Sequence, residues 1–408
     1  MKKRIYLLIA TATLIFGLCG LFFYQSHTGI SARASVPTLS PVSSVPYGTF
    51  SRDTASKALS LCSVSYYPET LEAKLKELGY GQFKYYSREQ DTVTGSGIAF
   101  GVATAWESNG NASVIAVFRG TNDCEWYSNF SIGEETEHAG FSAAADFAMS
   151  KLSEYLAFAG IENSSCAILI TGHSRGGAVA NLCAKRLIDN NSFTHTLAYT
   201  FASPNTTTSP SAHNDEYRCI FNIQNPEDFI CYIPLEEWGY TKYGTIINLP
   251  NRDADDFETL YENMEKKFLQ FAGYEHTGYP NNHDDVKEFL EAAYTIAPTI
   301  SDYYNRRITA YPYQVTLHEY MNKVASLLCG RDTISNGMFL MASGNSPLFR
   351  AMTEFMLQGI DIEKIAQSGE MTGSAVACGH TYETYEAWLG VLSDKYFEKF
   401  AVYADSTT

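Results

Sequence analysis

Between residues 98 and 223, near-continuous runs of apolar residues alternate with stretches in which apolar residues recur at helical spacing. Apolar residues at helical spacing predict helices over about 141–158 and 176–188. Near-continuous apolar runs before, between and after these helices predict strands that are buried on both faces, at residues 98–106, 113–118, 166–171, 196–201 and 219–223. Strands that alternate with helices in this way form a largely parallel sheet, so the sequence predicts an α/β fold.

Helical patterns dominate on either side of this region. Two short helices are expected between about residues 53 and 80, and a closing helix over about 384–400. From about residue 252 to 370 we predict a helical insertion rather than more sheet. Its longest apolar patterns run over 257–271, 284–297 and 314–328.

The amino terminus has the pattern of an export segment. Three basic residues at positions 2–4 precede an uncharged apolar run over 5–24, which is typical of a signal peptide or of a membrane anchor. The small-residue site Ala32-Arg33-Ala34 resembles a cleavage site, so residues 1–34 are expected to be either cleaved or retained. The protein is therefore predicted to be secreted or anchored to the outer face of the cell membrane.

The rest of the chain divides in two. Residues 35–51 are rich in Ser, Pro and Thr and predict a solvated linker, and residues 52–408 are expected to form the folded domain. The formal net charge of -16 argues against nucleic acid as a partner, because like charges repel. The nine cysteines include no C-x-x-C pair, and we expect most of them to be buried thiols.

The sharpest local motif is the G-x-S-x-G around Ser174, which lies between a predicted strand and a predicted helix. A strand that turns this sharply into a helix leaves no room for side chains at Gly172 and Gly176. The arrangement exposes the serine at the tip of the turn and is the nucleophile elbow of an α/β hydrolase. The alternative is a glycine-rich turn in which the serine caps the next helix.

A serine hydroxyl needs a base and an acid to act as a nucleophile. In an α/β hydrolase these follow the serine in the order acid, then histidine. Asp228 is the preferred acid, because it follows a predicted strand, and Glu227 is its competitor. Four histidines follow Asp228. His380 is preferred because it stands where the insertion ends, whereas the other three lie within it, at His276, His283 and His318.

Four separated segments resemble the class 3 lipases, the fungal-lipase-like branch of the α/β hydrolases. Residues 117–121 are similar to the family's oxyanion strand, and residues 138–141 to the H-x-G-F that opens its next helix. Residues 171–178 resemble the elbow T-G-H-S-x-G-G-A. Residues 225–234 resemble the segment with the catalytic Asp.

The resemblance implies an oxyanion hole and a lid. The backbone N–H groups of Thr121 and Arg175 would bind the developing oxyanion, and residues 123–129 occupy the place of the lid. Two features depart from the fungal pattern. Arg175 stands where Leu is usual, and 152 residues (380 − 228) separate Asp228 from His380, far more than in the compact fungal enzymes.

The sequence therefore predicts a serine ester hydrolase, and an acylglycerol lipase in particular, that works through Ser174, His380 and Asp228. Its partners would be an ester or lipid substrate and a lipid interface, and no metal or organic cofactor is implied. A carboxylesterase or a phospholipase is the alternative within the same chemistry, and a peptidase would use the same triad. A catalytically silent, membrane-tethered binding protein is the alternative of another class. The sequence leaves the oligomeric state open.

Overall fold

The computed structural model of the chain describes residues 39, 42–88, 97–121, 135–162, 166–190, 193–234, 236, 239–278, 307–310, 313–316 and 378–400. Nine strands are described, which are β1 (Gly81–Ser87), β2 (Ala99–Trp106), β3 (Ala112–Phe118), β4 (Cys166–His173), β5 (His195–Phe201), β6 (Ile220–Gln224), β7 (Thr245–Asn248), β8 (Arg307–Ala310) and β9 (Tyr313–Thr316). The α-helices of the described residues are α1 (Arg52–Val64), α2 (Pro68–Glu77), α3 (Ala139–Ala159), α4 (Arg175–Asp189), α5 (Phe257–Ala272), α6 (Tyr382–Val391) and α7 (Asp394–Glu398).

Strands β1 to β7 form one sheet in which the spatial order equals the chain order. The first two pairings, β1 with β2 and β2 with β3, are antiparallel, and the remaining four are parallel. Right-handed crossovers that always advance in one direction place their helices on one face of the sheet. Helices α3 and α4 lie on that face, and the other face is covered by α1, α2, α5 and α6.

The two faces form two separate hydrophobic cores because side chains alternate along each strand. In β4, Ala167 and Leu169 pack in the core with helices α1 and α6, whereas Ile168 and Ile170 pack in the core with α3 and α4. All eight residues of β4 are buried. This burial explains why the strand is a continuous apolar run in the sequence.

The structure confirms the α/β fold with a mostly parallel sheet and all five strands predicted from apolar runs. It adds β1 and β7, which the sequence did not reveal. Strand β1 is an edge strand of partly exposed residues that carries no apolar run, and β7 has only four residues. The predicted closing helix is two helices, because Leu392 has extended backbone and Ser393 precedes the start of α7.

The predicted insertion is described only in part. Helix α5 agrees with the pattern over residues 257–271, whereas residues 284–297 lie outside the described residues. The helix expected from Gln314 is wrong at its start, because β9 is a strand that pairs with β8. Cα partners such as Ile308 and Val315 are β-branched, and such residues favour extended backbone.

The prediction of a solvated linker over residues 35–51 is also wrong for the residues described there. Leu39, Val42 and Val45 are buried, and Phe50 packs against the same core as helix α1. Apolar side chains spaced between the Ser and Pro residues account for this packing. The prediction relied on the Ser, Pro and Thr content of the segment and did not weigh these apolar residues.

Six cysteines lie in the described residues, and all six are buried free thiols, as the sequence predicts. They are Cys62, Cys166, Cys183, Cys219, Cys231 and Cys378. In the ranges given above, no helix has both the length and the apolar character needed to cross a bilayer. The apolar run over residues 5–24 lies outside those ranges, so export remains a prediction.

Candidate active site

The candidate residues follow strands that end at one edge of the sheet. Parallel strands place their carboxyl ends together, and β3, β4 and β6 run parallel in the same sheet, with β5 between β4 and β6. Thr121 lies three residues after β3, Ser174 directly after β4, and Asp228 four residues after β6. The topology therefore brings three separate stretches of sequence to one edge.

Ser174 stands in a strained backbone conformation between β4 and α4. Its φ of 56° and ψ of -130° lie outside the regions that side-chain-bearing residues prefer. The turn is secured on both sides, because the N–H of Ser174 donates to the carbonyl of Phe201 and its carbonyl accepts from Ala178. Ser174 is half-buried, and helix α4 begins at the next residue.

The glycines of the motif are required by the close approach of backbone segments. A Cβ on Gly172 would overlap the backbone of Gly176. A Cβ on Gly176 would lie 2.5 Å from the carbonyl oxygen of Phe118 and 2.6 Å from that of Arg119. Larger residues at either position would push the serine turn away from the end of β3.

Asp228 and His380 form a buried hydrogen-bonded pair although 152 residues separate them. Nδ1 of His380 lies 2.8 Å from Oδ2 of Asp228, and both side chains are almost fully buried. Because the carboxylate can only accept, Nδ1 carries the proton in this pair. In the neutral imidazole that tautomer makes Nε2 the proton acceptor.

Further donors hold the carboxylate of Asp228 in place. Its Oδ1 accepts from the backbone N–H of Ile230 at 3.1 Å, and its Oδ2 accepts from the hydroxyl of Tyr385 at 2.8 Å. The same hydroxyl accepts from the N–H of Asn225 at 3.1 Å, which leaves its one proton for the carboxylate. Helix α6 thus contributes a second side chain, besides His380 just before it, to the surroundings of the acid.

His173 links the serine turn to the His380 segment. Its Nε2 lies 2.9 Å from the carbonyl oxygen of His380, and its ring centroid lies 4.8 Å from that of His380 and 4.1 Å from that of Tyr382. Burial holds the pKa of His173 well below its ordinary value, so the ring is neutral and donates from Nε2 to the carbonyl. Since His173 immediately precedes Ser174, this bond brings the His380 segment to the serine turn.

The segment before Thr121 packs against the same turn. A Cβ on Gly120 would lie 3.4 Å from the carbonyl oxygen of His173 and 2.5 Å from the hydroxyl oxygen of Tyr66. Thr121 therefore follows a residue that lies beside the elbow, as a candidate oxyanion residue must. The predicted lid over residues 123–129 lies outside the described residues.

The side chain of Arg175 points into the protein and is 1% exposed. Its guanidinium donates to the carbonyl of Gly97 at 2.8 Å from Nη2 and lies 5.6 Å from the ring centroid of Phe141. The backbone N–H of Arg175 is at the first position of helix α4, directly after Ser174. The substitution of Arg for the usual Leu thus leaves this candidate oxyanion donor in place.

Glu227, the competing acid, faces a different histidine. Its Oε2 lies 3.9 Å from Nε2 of His276, beyond hydrogen-bond distance, and neither atom has a hydrogen-bond partner. Burial raises the pKa of Glu227 to about 8 and lowers that of His276 to about 4, so both are neutral near pH 7. The two carboxyl groups therefore face different histidines, with Asp228 bonded to His380 and Glu227 facing His276.

Two other histidines of the described residues, His195 and His213, lie away from this cluster. His195 begins strand β5, and His213 bonds to the carbonyl of Gly244 and the hydroxyl of Thr241. His283 and His318 lie outside the described residues. Within the described ranges, no three His, Cys, Asp or Glu side chains are grouped as metal ligands.

Sequence reasoning missed Tyr385 and His173. The only signal for Tyr385 was the aromatic content of the closing helix, and its register toward Asp228 depends on how α6 packs. His173 is part of the elbow motif itself, so the sequence shows its position but not its role. Its role depends on a contact 207 residues away along the chain.

The part of the chain that contains three of the candidate site residues resembles a known family. Residues 112–238 match the family described as lipase (class 3). Over these residues the chain is similar to the class 3 lipases. The matched segment contains Thr121, Ser174 and Asp228, whereas His380 lies 142 residues (380 − 238) beyond its end. The match supports a reaction class, the lipase-type hydrolysis of carboxylic esters.

Solved structures similar to the chain include three fungal lipases. The lipase–propeptide complex of Rhizomucor miehei is 17% identical over 49% of this chain and 68% of its own, with a TM-score of 0.37. Lipase II of Rhizopus niveus is 16% identical over 48% and 80%, with a TM-score of 0.39. The mono- and diacylglycerol lipase of Aspergillus oryzae is 19% identical over 50% and 82%, with a TM-score of 0.39.

The likeness to these structures is low, and the chain's own sheet order defines its fold. Among curated proteins no match to the chain is found.

Proposed function

We propose that this protein is a serine lipase that hydrolyses acylglycerol esters, with Ser174 as nucleophile, His380 as general base and Asp228 as the acid that orients it. The observation that supports this most is the hydrogen bond from His173 to the carbonyl of His380 at 2.9 Å. It joins the residue before the strained serine to the histidine that is paired with a buried aspartate.

In the first step, Nε2 of His380 takes the proton of the Ser174 hydroxyl while Oγ bonds to the ester carbonyl carbon. Asp228 stabilises the imidazolium that forms, through the Nδ1 hydrogen bond of 2.8 Å. The imidazolium then gives its proton to the departing alkoxide oxygen. The alcohol leaves, and the acyl group stays on Ser174.

In the second step, water takes the place of the alcohol. His380 accepts a proton from water, the oxygen bonds to the acyl carbon, and Ser174 leaves with the proton returned by His380. In both steps the negative charge on the carbonyl oxygen would be bound by the backbone N–H groups of Thr121 and Arg175. Removing one such donor in related chemistry costs about 3–4 kcal/mol in the barrier.

Ester hydrolysis is tested with a chromogenic ester series of increasing acyl length, assayed with and without an emulsion, on protein that lacks residues 1–34. The parent is compared with Ser174→Ala and with its matched control Ser153→Ala, whose hydroxyl bonds to a backbone carbonyl on the exposed side of α3. We expect Ser174→Ala to lower kcat/KM by about three orders of magnitude or more. Ser153→Ala should match the parent.

A second matched pair tests the histidine. His380→Gln should lose activity as Ser174→Ala does, whereas His276→Gln should retain it. A preference for long acyl chains at an interface indicates a lipase, and a preference for short soluble esters indicates a carboxylesterase. A parent protein inactive on every ester, or equal to Ser174→Ala, would contradict the proposal and favour a silent binding protein.

A further inference from the structure

A lysine is buried beneath the loop that carries Asp228. Lys242 is 1% exposed, and its ammonium nitrogen has three oxygen partners from three places in the fold. These are Oδ1 of Asn205 at 2.8 Å, Oε1 of Gln224 at 3.1 Å and the carbonyl of Cys231 at 2.6 Å. A fully buried amine with three acceptors has all of its hydrogen-bonding capacity satisfied.

The identity of these acceptors shows that the amine is protonated. The amide nitrogen of Asn205 donates to the carbonyl of Pro234, and that of Gln224 donates to Asn248, so both amide oxygens face Lys242. A neutral amine has two N–H bonds and would direct its lone pair at the third oxygen. Burial lowers the pKa of Lys242, but only the ammonium form fits three acceptors.

The ammonium and Asn205 together fasten the loop over residues 225–234. Lys242 holds the carbonyl of Cys231, which follows Asp228 by three residues, and Asn205 holds the carbonyls of Ile233 and Pro234 at 2.8 and 2.9 Å. The thiol of Cys231 in turn lies 3.5 Å from Oδ2 of Asp228. Cys231 thus links Lys242 to the Asp228 carboxylate that bonds to His380.

Most titratable groups that face the Asp228–His380 pair or Lys242 in the described residues are neutral near pH 7. Burial raises the pKa values of Cys231 and Tyr385 well above their ordinary values, lowers that of His173, and raises that of Glu227 to about 8. The exposed carboxylate of Glu236 also faces Lys242. The buried ammonium therefore stands out as a fixed positive charge near the pair.

We propose that Lys242 is a positioning residue of the candidate triad, which fixes the loop carrying Asp228 and keeps a positive charge beside the Asp228–His380 pair. This inference rests on the proposed function for its catalytic meaning. A positive charge near His380 repels the imidazolium that forms when His380 takes the proton of Ser174. Replacing Lys242 by a neutral residue removes this repulsion, so the imidazolium should be more favourable in the variant than in the parent protein.

The experiment follows the His380 ring by NMR during a pH titration, with its signals assigned from His380→Gln. In Lys242→Gln the midpoint should rise by about 0.5 pH units or more, the size expected for a unit charge several ångströms away. Lys242→Arg keeps the charge and should keep the midpoint. If the enzyme is active, the acid limb of the pH profile of kcat/KM moves with the midpoint.

Lys185→Gln is the matched control. Lys185 pairs with Asp189 on helix α4, about 16 Å from the serine turn at 1.5 Å per residue, and its loss should leave the midpoint unchanged. A purely structural lysine would lower the free energy of unfolding of Lys242→Gln without moving the midpoint. That result would overturn the inference.

A variant that keeps the lysine covers the case in which Lys242→Gln does not fold. Gln224→Glu places a carboxylate against the ammonium and should raise the midpoint in the same direction. An unchanged midpoint in folded Gln224→Glu would also overturn the inference. The NMR titration needs no turnover, so it tests the role of Lys242 even if the parent protein is inactive. An inactive parent would contradict the proposed function only.

Discussion

Two adjacent residues, Glu227 and Asp228, each face a buried histidine, and the two pairs behave differently. In the Asp228–His380 pair the atoms lie 2.8 Å apart, and a backbone N–H and a tyrosine hydroxyl also donate to the carboxylate. In the Glu227–His276 pair they lie 3.9 Å apart, and both facing atoms have no hydrogen-bond partner. A carboxyl group and an imidazole thus form a hydrogen-bonded acid–base pair in one case and a neutral contact in the other.

Donors to the carboxylate therefore distinguish the two pairs. Each hydrogen bond that a buried carboxylate accepts favours its charged form, whereas burial with few donors favours the protonated form. A protonated Glu227 cannot stabilise an imidazolium.

Matched amide substitutions should separate the two acids. Asp228→Asn keeps the size of the side chain but removes the charge that stabilises the His380 imidazolium, so kcat should fall by about 10³- to 10⁴-fold. Glu227→Gln replaces a carboxyl that is already neutral and should change kcat less than about threefold. Steady-state ester hydrolysis at pH 7 measures both, and similar losses in the two variants would contradict the contrast.

The buried Glu227 should make the protein less stable at higher pH. Its pKa is about 8 in the folded protein and near its ordinary value of 4.5 when unfolded, so the folded state holds the proton over that interval. The contribution of Glu227 to stability is then greatest below pH 4.5 and falls as pH rises to about 8, by up to about 5 kcal/mol. Urea unfolding across this range should show a smaller decline in Glu227→Gln, and equal slopes would refute the assignment.

His276 should act in the opposite direction. Its pKa is about 4 in the folded protein and near 6.5 when unfolded, so its contribution is present above pH 6.5 and is lost as pH falls to about 4. The loss amounts to up to about 3 kcal/mol. Unfolding of His276→Gln between pH 4 and 6.5 should lack this component, and a parent-like profile would show that the histidine is not neutral in the fold.

The two tyrosines that contact these pairs should also differ. Tyr385→Phe removes a hydroxyl that donates to the Asp228 carboxylate at 2.8 Å, and such a bond to a charged group is worth about 1.5–3 kcal/mol. We expect kcat/KM to fall about tenfold. Tyr261→Phe removes a hydroxyl that contacts Glu227 and His276 and should leave kcat/KM unchanged, with a lower free energy of unfolding. Equal decreases in kcat/KM in the two variants would contradict the different roles of Tyr385 and Tyr261.

Sequence reasoning reached the fold and the motif residues because both are local signals. The apolar runs of β3 to β6 reflect burial on both faces, and the glycines at 172 and 176 reflect contacts of the serine turn itself. Such signals need no knowledge of distant partners. They fail where strands are short or exposed at an edge, as in β1 and β7.

The supporting residues of the candidate site could not be predicted for the same reason. Lys242 has no motif, and an isolated lysine between two strands is usually exposed. Its burial depends on acceptors from Asn205, Gln224 and Cys231, which meet only after the sheet is assembled. The choice between Glu227 and Asp228 likewise depends on where the loop directs each side chain.

The residues on either side of the segment 279–377 lie close together in the fold. The thiol of Cys378 makes hydrogen bonds to Thr277 and Gly278, and both Gly278 and Gly379 pack against Glu227. The 99 residues from 279 to 377 therefore begin and end at neighbouring points. Segments with adjoining ends can be lengthened, shortened or exchanged with little effect on their host. Evolution could thus remodel this stretch freely while His380 kept its place beside Asp228.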